Sequence, residues 1–417
     1  MVPTYSREKI NTTAVLIVLS TLFFMWGLIT VLNFMLVDEL KTVFAMNQAQ
    51  ALLVSFVFFG TYFVAAIPAG RIIHKYGYKN GIMAGIVVAG FGCMMFYPAA
   101  AQRKYELFVL SSFIVASGIT MLQVGANTYV VLLGRKERNA SRLTLVQGFN
   151  ALGAFLAPYL ASGVFMKIAG LTEESRLSMS PEEFVEATIK YVQLPYLGLG
   201  AVLFLLALFV GFSRLPKLNT AYADPLARTP DSSAQKYIFQ FPHLILGALA
   251  IFCYVGAEVT IGQYLGNRAE HLVPIFWGAA LAGRFLGSAM LTVVGPRKLI
   301  AVNAGIAAIL IGVFIVLANI EGASEKALYV LAATGLFNSI LFPCIFTLGI
   351  DGLGRFTEEG ASVLILSIVG GAIIPMVWAN LFDASLGAAF VLVIFCYLYV
   401  SYFGAKGSKY EKRTNFY

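Results

Sequence analysis

The sequence predicts an all-α membrane protein in which twelve transmembrane helices form two six-helix bundles. Three observations carry the prediction. Hydrophobic residues make up 59% of the 417 and charged residues 12%, with a mean hydropathy of +0.81, far outside the usage of soluble domains. Twelve apolar stretches are each long enough to cross a bilayer, since about 20 residues rising ~1.5 Å apiece span a ~30 Å hydrocarbon layer. A polar stretch from Arg214 to Gln240, rich in Pro, Ala, Ser and charge, divides six of them from the other six. The stretches are continuously apolar rather than alternating, and lipid forces each to satisfy its own backbone hydrogen bonds, so helices are predicted and a barrel is not.

Taken in order, span 1 (14–37) is too long for a signal peptide, lacks a small-residue cleavage pattern and leads into eleven more spans. Span 2 (50–73) ends in AGRIIHKYGYKNG, Ala69 to Gly81, where Gly77 supplies a tight turn before span 3 (80–101). Lys75 and Lys79 in that loop can cap a neighbouring helix end or pair with a facing carboxylate. Spans 4 (106–130) and 5 (144–167) carry amides, and the acidic run from Glu173 to Glu186 reads as a short amphipathic helix on the outer face before span 6 (192–212). Span 7 (242–266) holds Glu258 and span 8 (272–294) holds Arg284, the two charged residues deep inside any span. Spans 9 (299–319) and 10 (328–350) lead to a loop whose Asp351, Arg355, Glu358 and Glu359 should pair with loop cations; spans 11 (361–382) and 12 (386–405) close the chain. The domains are thus 1–213 for the N-terminal bundle, 214–240 for a cytoplasmic linker, 241–405 for the C-terminal bundle and 406–417 for a cytoplasmic tail.

With both termini inside, 20 of the 29 Lys and Arg fall on the inner side, 8 on the outer side, and Arg284 lies in a span. The positive-inside rule therefore predicts cytoplasmic termini in a plasma membrane, the inner membrane of a bacterium. It also accounts for the net charge of +8 without a nucleic-acid partner; the bilayer is the partner that composition demands, and the expected working unit is a monomer. Cys93, Cys253, Cys344 and Cys396 fall inside spans and read as small buried apolar residues. His74, His243 and His271 lie at span ends on separate segments, without metal-ligand spacing. No nucleophile and base share a depth, so neither an enzyme nor a cofactor is expected.

The halves resemble each other in order. Thr128 to Gly134 (TYVVLLG) lines up with Pro343 to Gly349 (PCIFTLG) at an offset of 215, and Gly153-Ala154 with Pro158 lines up with Gly371-Ala372 with Pro375 at 218. Two matches at nearly one offset predict a duplication, and parallel halves are a transporter architecture.

A polar constellation lies in the first half. Trp26, Thr30 and Asn33 share a face of helix 1, Gln123 and Asn127 a face of helix 4, and Gln147 and Asn150 a face of helix 5. Amides offer donors and acceptors that match a sugar's hydroxyls, and an aromatic ring can cover its C–H face. Interhelical hydrogen bonding, worth roughly 1 kcal/mol per contact, is the competing use of such residues. From the second half Tyr254, Glu258 and Gln263 join the candidate sugar site. Glu258 must face a cavity, hold a proton or pair with a cation, and Arg284 could be that cation. A paired Glu258 stays ionised and carries protons poorly; an unpaired one is the obvious proton acceptor. For the aromatics Trp277, Trp378 and Tyr264, lining a sugar path competes with helix packing.

Gly70, Lys75, Gly77 and Lys79 resemble the Gly-x-x-x-Asp-Arg-x-Gly-Arg loop of the major facilitator superfamily, with His74 where Asp is usual. A narrower resemblance is to fucose permease-type sugar symporters, the fucose-galactose-glucose branch. It is carried by FFMWGLITVLN (Phe23 to Asn33), MLQVGANTYVVLLG (Met121 to Gly134), QGFNALGA (Gln147 to Ala154), MSPEEFVEATIKYVQLPY (Met179 to Tyr196), FCYVGAE (Phe252 to Glu258) and FPCIFTLGI (Phe342 to Ile350). The resemblance implies the major facilitator fold and uptake of a monosaccharide by alternating access, driven by a cation gradient. That family's pattern has an aspartate directly after the Asn matching Asn33 and a glutamate at the position of Gln123; here Phe34 and neutral Gln123 stand instead. The glutamine agrees with glucose- and galactose-type members. With both carboxylates missing, sodium is favoured over a proton, because carbonyl, amide and hydroxyl oxygens hold it without a titrating group. Asn33, Gln123, Asn127 and Thr128 are its candidate ligands, and Glu258 is the proton alternative. A proton-coupled drug antiporter shares the architecture, but favours an acidic or broadly apolar cavity.

Overall fold

The computed structural model describes residues 12–43, 46–161, 178–213, 215–216, 218 and 237–409, and every regular element among them is helical. Twelve helical stretches are long and apolar enough to cross a membrane. Spans 1 to 6 are Thr12–Val43, Gln48–Tyr76, Tyr78–Ala101, Tyr105–Leu132, Asn139–Leu160 and Pro181–Phe212. Spans 7 to 9 are Pro242–Arg268, Val273–Met290 and Pro296–Ala318. Span 10 consists of Ser324–Asn338 and Leu341–Gly349, span 11 of Thr357–Leu366 and Gly370–Phe382, and span 12 is Leu386–Tyr402.

Local chemistry sets several boundaries. Asn47 and Gln50 cap one another's backbone N–H at the start of span 2, and Ser180 and Glu183 do the same at span 6. The second cap starts span 6 at Pro181 rather than 192, so residues 181–186 of the acidic run are the first turns of a transmembrane helix and not a separate amphipathic one. The earlier part of that run, the predicted end of span 5 beyond 161, linker residues 219–236 and the tail beyond 409 lie outside the described residues. Gly77 turns the chain between spans 2 and 3 at φ +81°, and Lys79 Nζ donates to the carbonyl oxygens of Gly211 and Ser213 at 2.7 and 2.8 Å, capping the end of span 6.

Spans 10 and 11, predicted as continuous, are both broken. In span 10 the break falls at Ser339 and Ile340, where Pro343 has no N–H for the carbonyl of Ser339 and its ring crowds that carbonyl. Ser339 Oγ donates back to Leu336 O at 2.6 Å. In span 11 a tighter turn at Ser367–Val369 precedes Gly370-Gly371. Gly370 is required there: a Cβ would collide with the carbonyl oxygen of Phe252 on span 7. Gly153 of span 5 meets the carbonyl of Phe24 on span 1 in the same way. Spans 1 and 5 thus repeat as spans 7 and 11, which supports the duplication, with Gly370 rather than Gly371 as the partner of Gly153.

The halves meet on the face that carries the basic loops. Ser141 Oγ donates to Ser288 O at 2.7 Å and Ser288 Oγ to Ser141 O at 2.9 Å, tying span 5 to span 8. Tyr78 donates to Glu358 Oε1 at 2.9 Å, His74 Nδ1 lies 3.8 Å from Glu358 Oε2, and Lys136 pairs with Asp351 at 2.6 Å. Of the acidic residues after span 10, Asp351 therefore meets a lysine of the other half, and Glu358 meets a tyrosine hydroxyl and a histidine ring there. Gly70 lets span 2 lie directly on Ser362 of span 11. This face is closed.

Candidate functional site

Four helices of the N-terminal half bring the predicted amides together. Gln147 Nε2 on span 5 donates to Asn127 Oδ1 on span 4 at 3.1 Å. Gln123 Nε2 donates to the Tyr62 hydroxyl of span 2, and Asn150 Nδ2 to the carbonyl oxygen of Phe23 on span 1, each at 3.1 Å. Gln123, Asn127 and Gln147 are buried, and Asn150 is half-buried. Three of these amides are therefore oriented by their NH2 groups. Among the described residues the carbonyl oxygens of Gln123, Gln147 and Asn150 accept no hydrogen bond, and Asn127 Nδ2 is buried without a partner. The interhelical role accounts for one side of each amide; three acceptors and one donor remain, the complement of a polyhydroxylated ligand.

Span 1 supplies the wall. Trp26 is buried with its ring 5.1 Å from that of Phe23, and Thr30 Oγ1, one turn on, is buried without a partner. Asn33 and Phe34 belong to the helix, but their side chains lie outside the described residues. Thr128 is turned toward its own helix, its Oγ1 donating to Val124 O at 2.6 Å. Tyr62 completes the network, and no sequence pattern points to it, because it lies in an apolar run without polar neighbours at helical spacing.

In the C-terminal half the Tyr254 hydroxyl donates to Glu258 Oε1 at 2.7 Å. Tyr254 is buried, whereas Glu258 is partly accessible at mid-span. The alternative in which Glu258 and Arg284 form an ion pair is not what the structure contains: among the described residues no salt bridge within 4.0 Å joins them. Arg284 Nη1 instead crosses between the halves and donates to the main-chain oxygen of Gln147 at 2.8 Å. Span 8 lies hard against span 5, with Gly148 on the ring of Phe285, so the guanidinium meets span 5 first. It still acts on Glu258 through space.

Gln263 is exposed near the outer end of span 7 and makes no hydrogen bond among the described residues. Trp378 stacks on Phe382 at 4.8 Å and packs with Tyr264 and Phe390 at 5.8 and 5.6 Å, a helix-packing cluster. Trp277 sits edge-on to Phe276 at 4.9 Å. Among the described residues no group of three or more His, Cys, Asp or Glu could hold a metal ion. Cys93, Cys344 and Cys396 are buried, as expected, and Cys253 is half-buried.

The profile of the Major Facilitator Superfamily matches residues 17–359. A glucose/galactose transporter of Brucella abortus is 42% identical over 405 residues, 94% of this chain and 93% of the relative. The L-fucose-proton symporter of Escherichia coli is 30% identical over 383 residues, 88% and 86% of the two chains. The crystal structure of that fucose:proton symporter, FucP, in the outward conformation superposes with a TM-score of 0.81 at 28% identity, covering 94% of this chain and 98% of the other.

Proposed function

The chain belongs to the major facilitator superfamily, among its fucose permease-like sugar transporters, and we propose that it imports a monosaccharide of the glucose and galactose class by alternating access. One observation carries this reading: among the described residues the carbonyl oxygens of Gln123, Gln147 and Asn150 accept no hydrogen bond and the buried NH2 of Asn127 has no partner, on two helices joined by the Gln147–Asn127 bond. Trp26 and Thr30 wall the sugar, while Tyr254, Glu258 and Gln263 face it from the other half. Glucose or galactose is preferred to fucose because Gln123 stands where fucose-type members carry a glutamate, and because the relative at 42% identity is named a glucose/galactose transporter.

Sodium is the proposed coupling ion. Phe34 and Gln123 stand where the family pattern has proton-titrating carboxylates, which favours a hard cation held by neutral oxygens; of the ligands expected from the sequence, Asn127 Oδ1 already accepts from Gln147 and Thr128 Oγ1 donates to its own helix. The second reading is proton coupling through Glu258, favoured by the lack of a salt bridge to that carboxylate. The working unit is a monomer in the plasma membrane with both termini in the cytoplasm, supported by the basic inner loops. Counterflow of a monosaccharide panel in proteoliposomes, with and without sodium at fixed pH, tests the reading. Glucose or galactose should exchange chemically unchanged, and uptake should rise with sodium. Uptake indifferent to sodium but abolished by a protonophore transfers coupling to Glu258, and dye export without sugar exchange rejects sugar import altogether.

A further inference from the structure

A second group of unspent polar atoms lies in the C-terminal half, beside Glu258. Asn338 and Tyr397 have no solvent exposure, and among the described residues Asn338 Oδ1, Asn338 Nδ2 and the Tyr397 hydroxyl make no hydrogen bond of good geometry. The two side chains are neighbours without a bond of good geometry between them, and Glu258 acts electrostatically on Tyr397. An unpartnered buried polar group opposes folding, so three together call for an occupant. Asn338 is the last residue before the break in span 10, where interruption of the helical ladder frees main-chain carbonyl groups. It also stands 215 residues after Gln123, the offset that aligns spans 4 and 10, so the duplication places an amide at the same level of both halves.

We propose that Glu258, Asn338 and Tyr397, with main-chain carbonyls at the break of span 10, hold the coupling cation, a sodium ion. The inference rests on the sodium coupling proposed above and gives it a site in the C-terminal half. The chemistry selects among occupants. A water molecule answers the amide and the hydroxyl but leaves the carboxylate uncompensated, since Arg284 Nη1 is committed to Gln147 across the halves. A proton on Glu258 removes its charge but leaves Asn338 and Tyr397 unpartnered. A sodium ion with one bound water answers all three, using the carboxylate, amide and phenol oxygens as hard ligands and the water as acceptor for Nδ2. In the N-terminal half, by contrast, Asn127 Oδ1 already accepts from Gln147 and Thr128 is turned to its own helix. Among the described residues Arg284 is the cation that acts on Glu258, and its hold on span 5 keeps it outside salt-bridge distance while the inner face is closed.

The test is sugar uptake as a function of sodium at fixed pH in proteoliposomes, with potassium replacing sodium to hold ionic strength. In the wild type uptake should rise saturably with sodium. Asn338→Ala and Tyr397→Phe should each raise the half-saturating sodium concentration about ten-fold, equivalent to roughly 1.4 kcal/mol. Tyr397→Phe removes a single oxygen and keeps the ring, so it serves where Asn338→Ala fails to fold. Sodium should also raise the melting temperature of the purified wild type in detergent, and by less in Tyr397→Phe. Sodium-dependent uptake with an unchanged half-saturation in both variants overturns this site and leaves sodium coupling standing. Wild-type uptake that ignores sodium overturns both.

Discussion

At the scale of single residues, the amides of the N-terminal half divide their labour between holding helices and offering oxygen. Asn127 and Gln123 should each be intolerant of Ala, because truncation removes a proposed sugar ligand and breaks its hydrogen bond to Gln147 or Tyr62. A loss of about 1–3 kcal/mol corresponds to counterflow roughly 5- to 150-fold slower. Counterflow in proteoliposomes checks this, and unchanged exchange in both variants would remove the site. The helical spacing of Gln123 with Asn127 and of Gln147 with Asn150 was legible in sequence, because a 3.6-residue repeat places such pairs on one face. Tyr62 was not legible, since a tyrosine in an apolar run is read as packing until its neighbour across the interface is known. Arg284 shows the same limit. Its long side chain can reach either span 5 or span 7, and the choice of Gln147 over Glu258 depends on which helix lies closer.

At the scale of helices, the close approaches of span 1 to span 5 and of span 7 to span 11 rest on glycine. Gly153→Ala and Gly370→Ala each place a Cβ against a main-chain carbonyl of the facing helix, at Phe24 and Phe252, and neither backbone can yield as a flexible side chain would. Overpacking of this kind costs about 1–3 kcal/mol, so a lower melting temperature in detergent is expected for both. Gly266→Ala, with open space around its Cβ, is the control that should leave melting unchanged. Equal melting of all three variants would contradict the packing described. The breaks in spans 10 and 11 escape a hydropathy reading because apolar content continues across them, while the ladder fails at Pro343 and loosens at Gly370-Gly371.

At the scale of the molecule, the two bundles are joined on the basic face by short polar contacts between elements far apart in sequence. Ser141 and Ser288 exchange two hydrogen bonds, with hydroxyls 3.3 Å apart. The alternating access proposed above requires this contact to open. A Ser141→Cys, Ser288→Cys double variant should cross-link under mild oxidation, stop sugar uptake, and recover on reduction. Uptake that persists while the cross-link is complete would show that spans 5 and 8 need not separate. Glu358 belongs to the same seal, buried and held by Tyr78 with His74 alongside. Glu358→Gln weakens it by removing the charge, so a cysteine replacing the buried Ser362, which faces Gly70, should react faster with a membrane-impermeant thiol reagent from the inner side. An unchanged rate would remove Glu358 from the seal.

The sequence by itself determined the class of molecule, its helix count, its two-part plan and the residue types that can meet a sugar. These follow from composition, span length and spacing along one chain, all of which are local. Only the tertiary structure decided which helices touch: that Gln147 orients Asn127, that Arg284 serves the interface and leaves Glu258 without a salt bridge, and that Asn338 and Tyr397 lie buried with no hydrogen bond of good geometry among the described residues. The physical reason is that a buried polar group must find its partner across a helix interface, and that partner is chosen by packing, which spacing along a single helix does not encode.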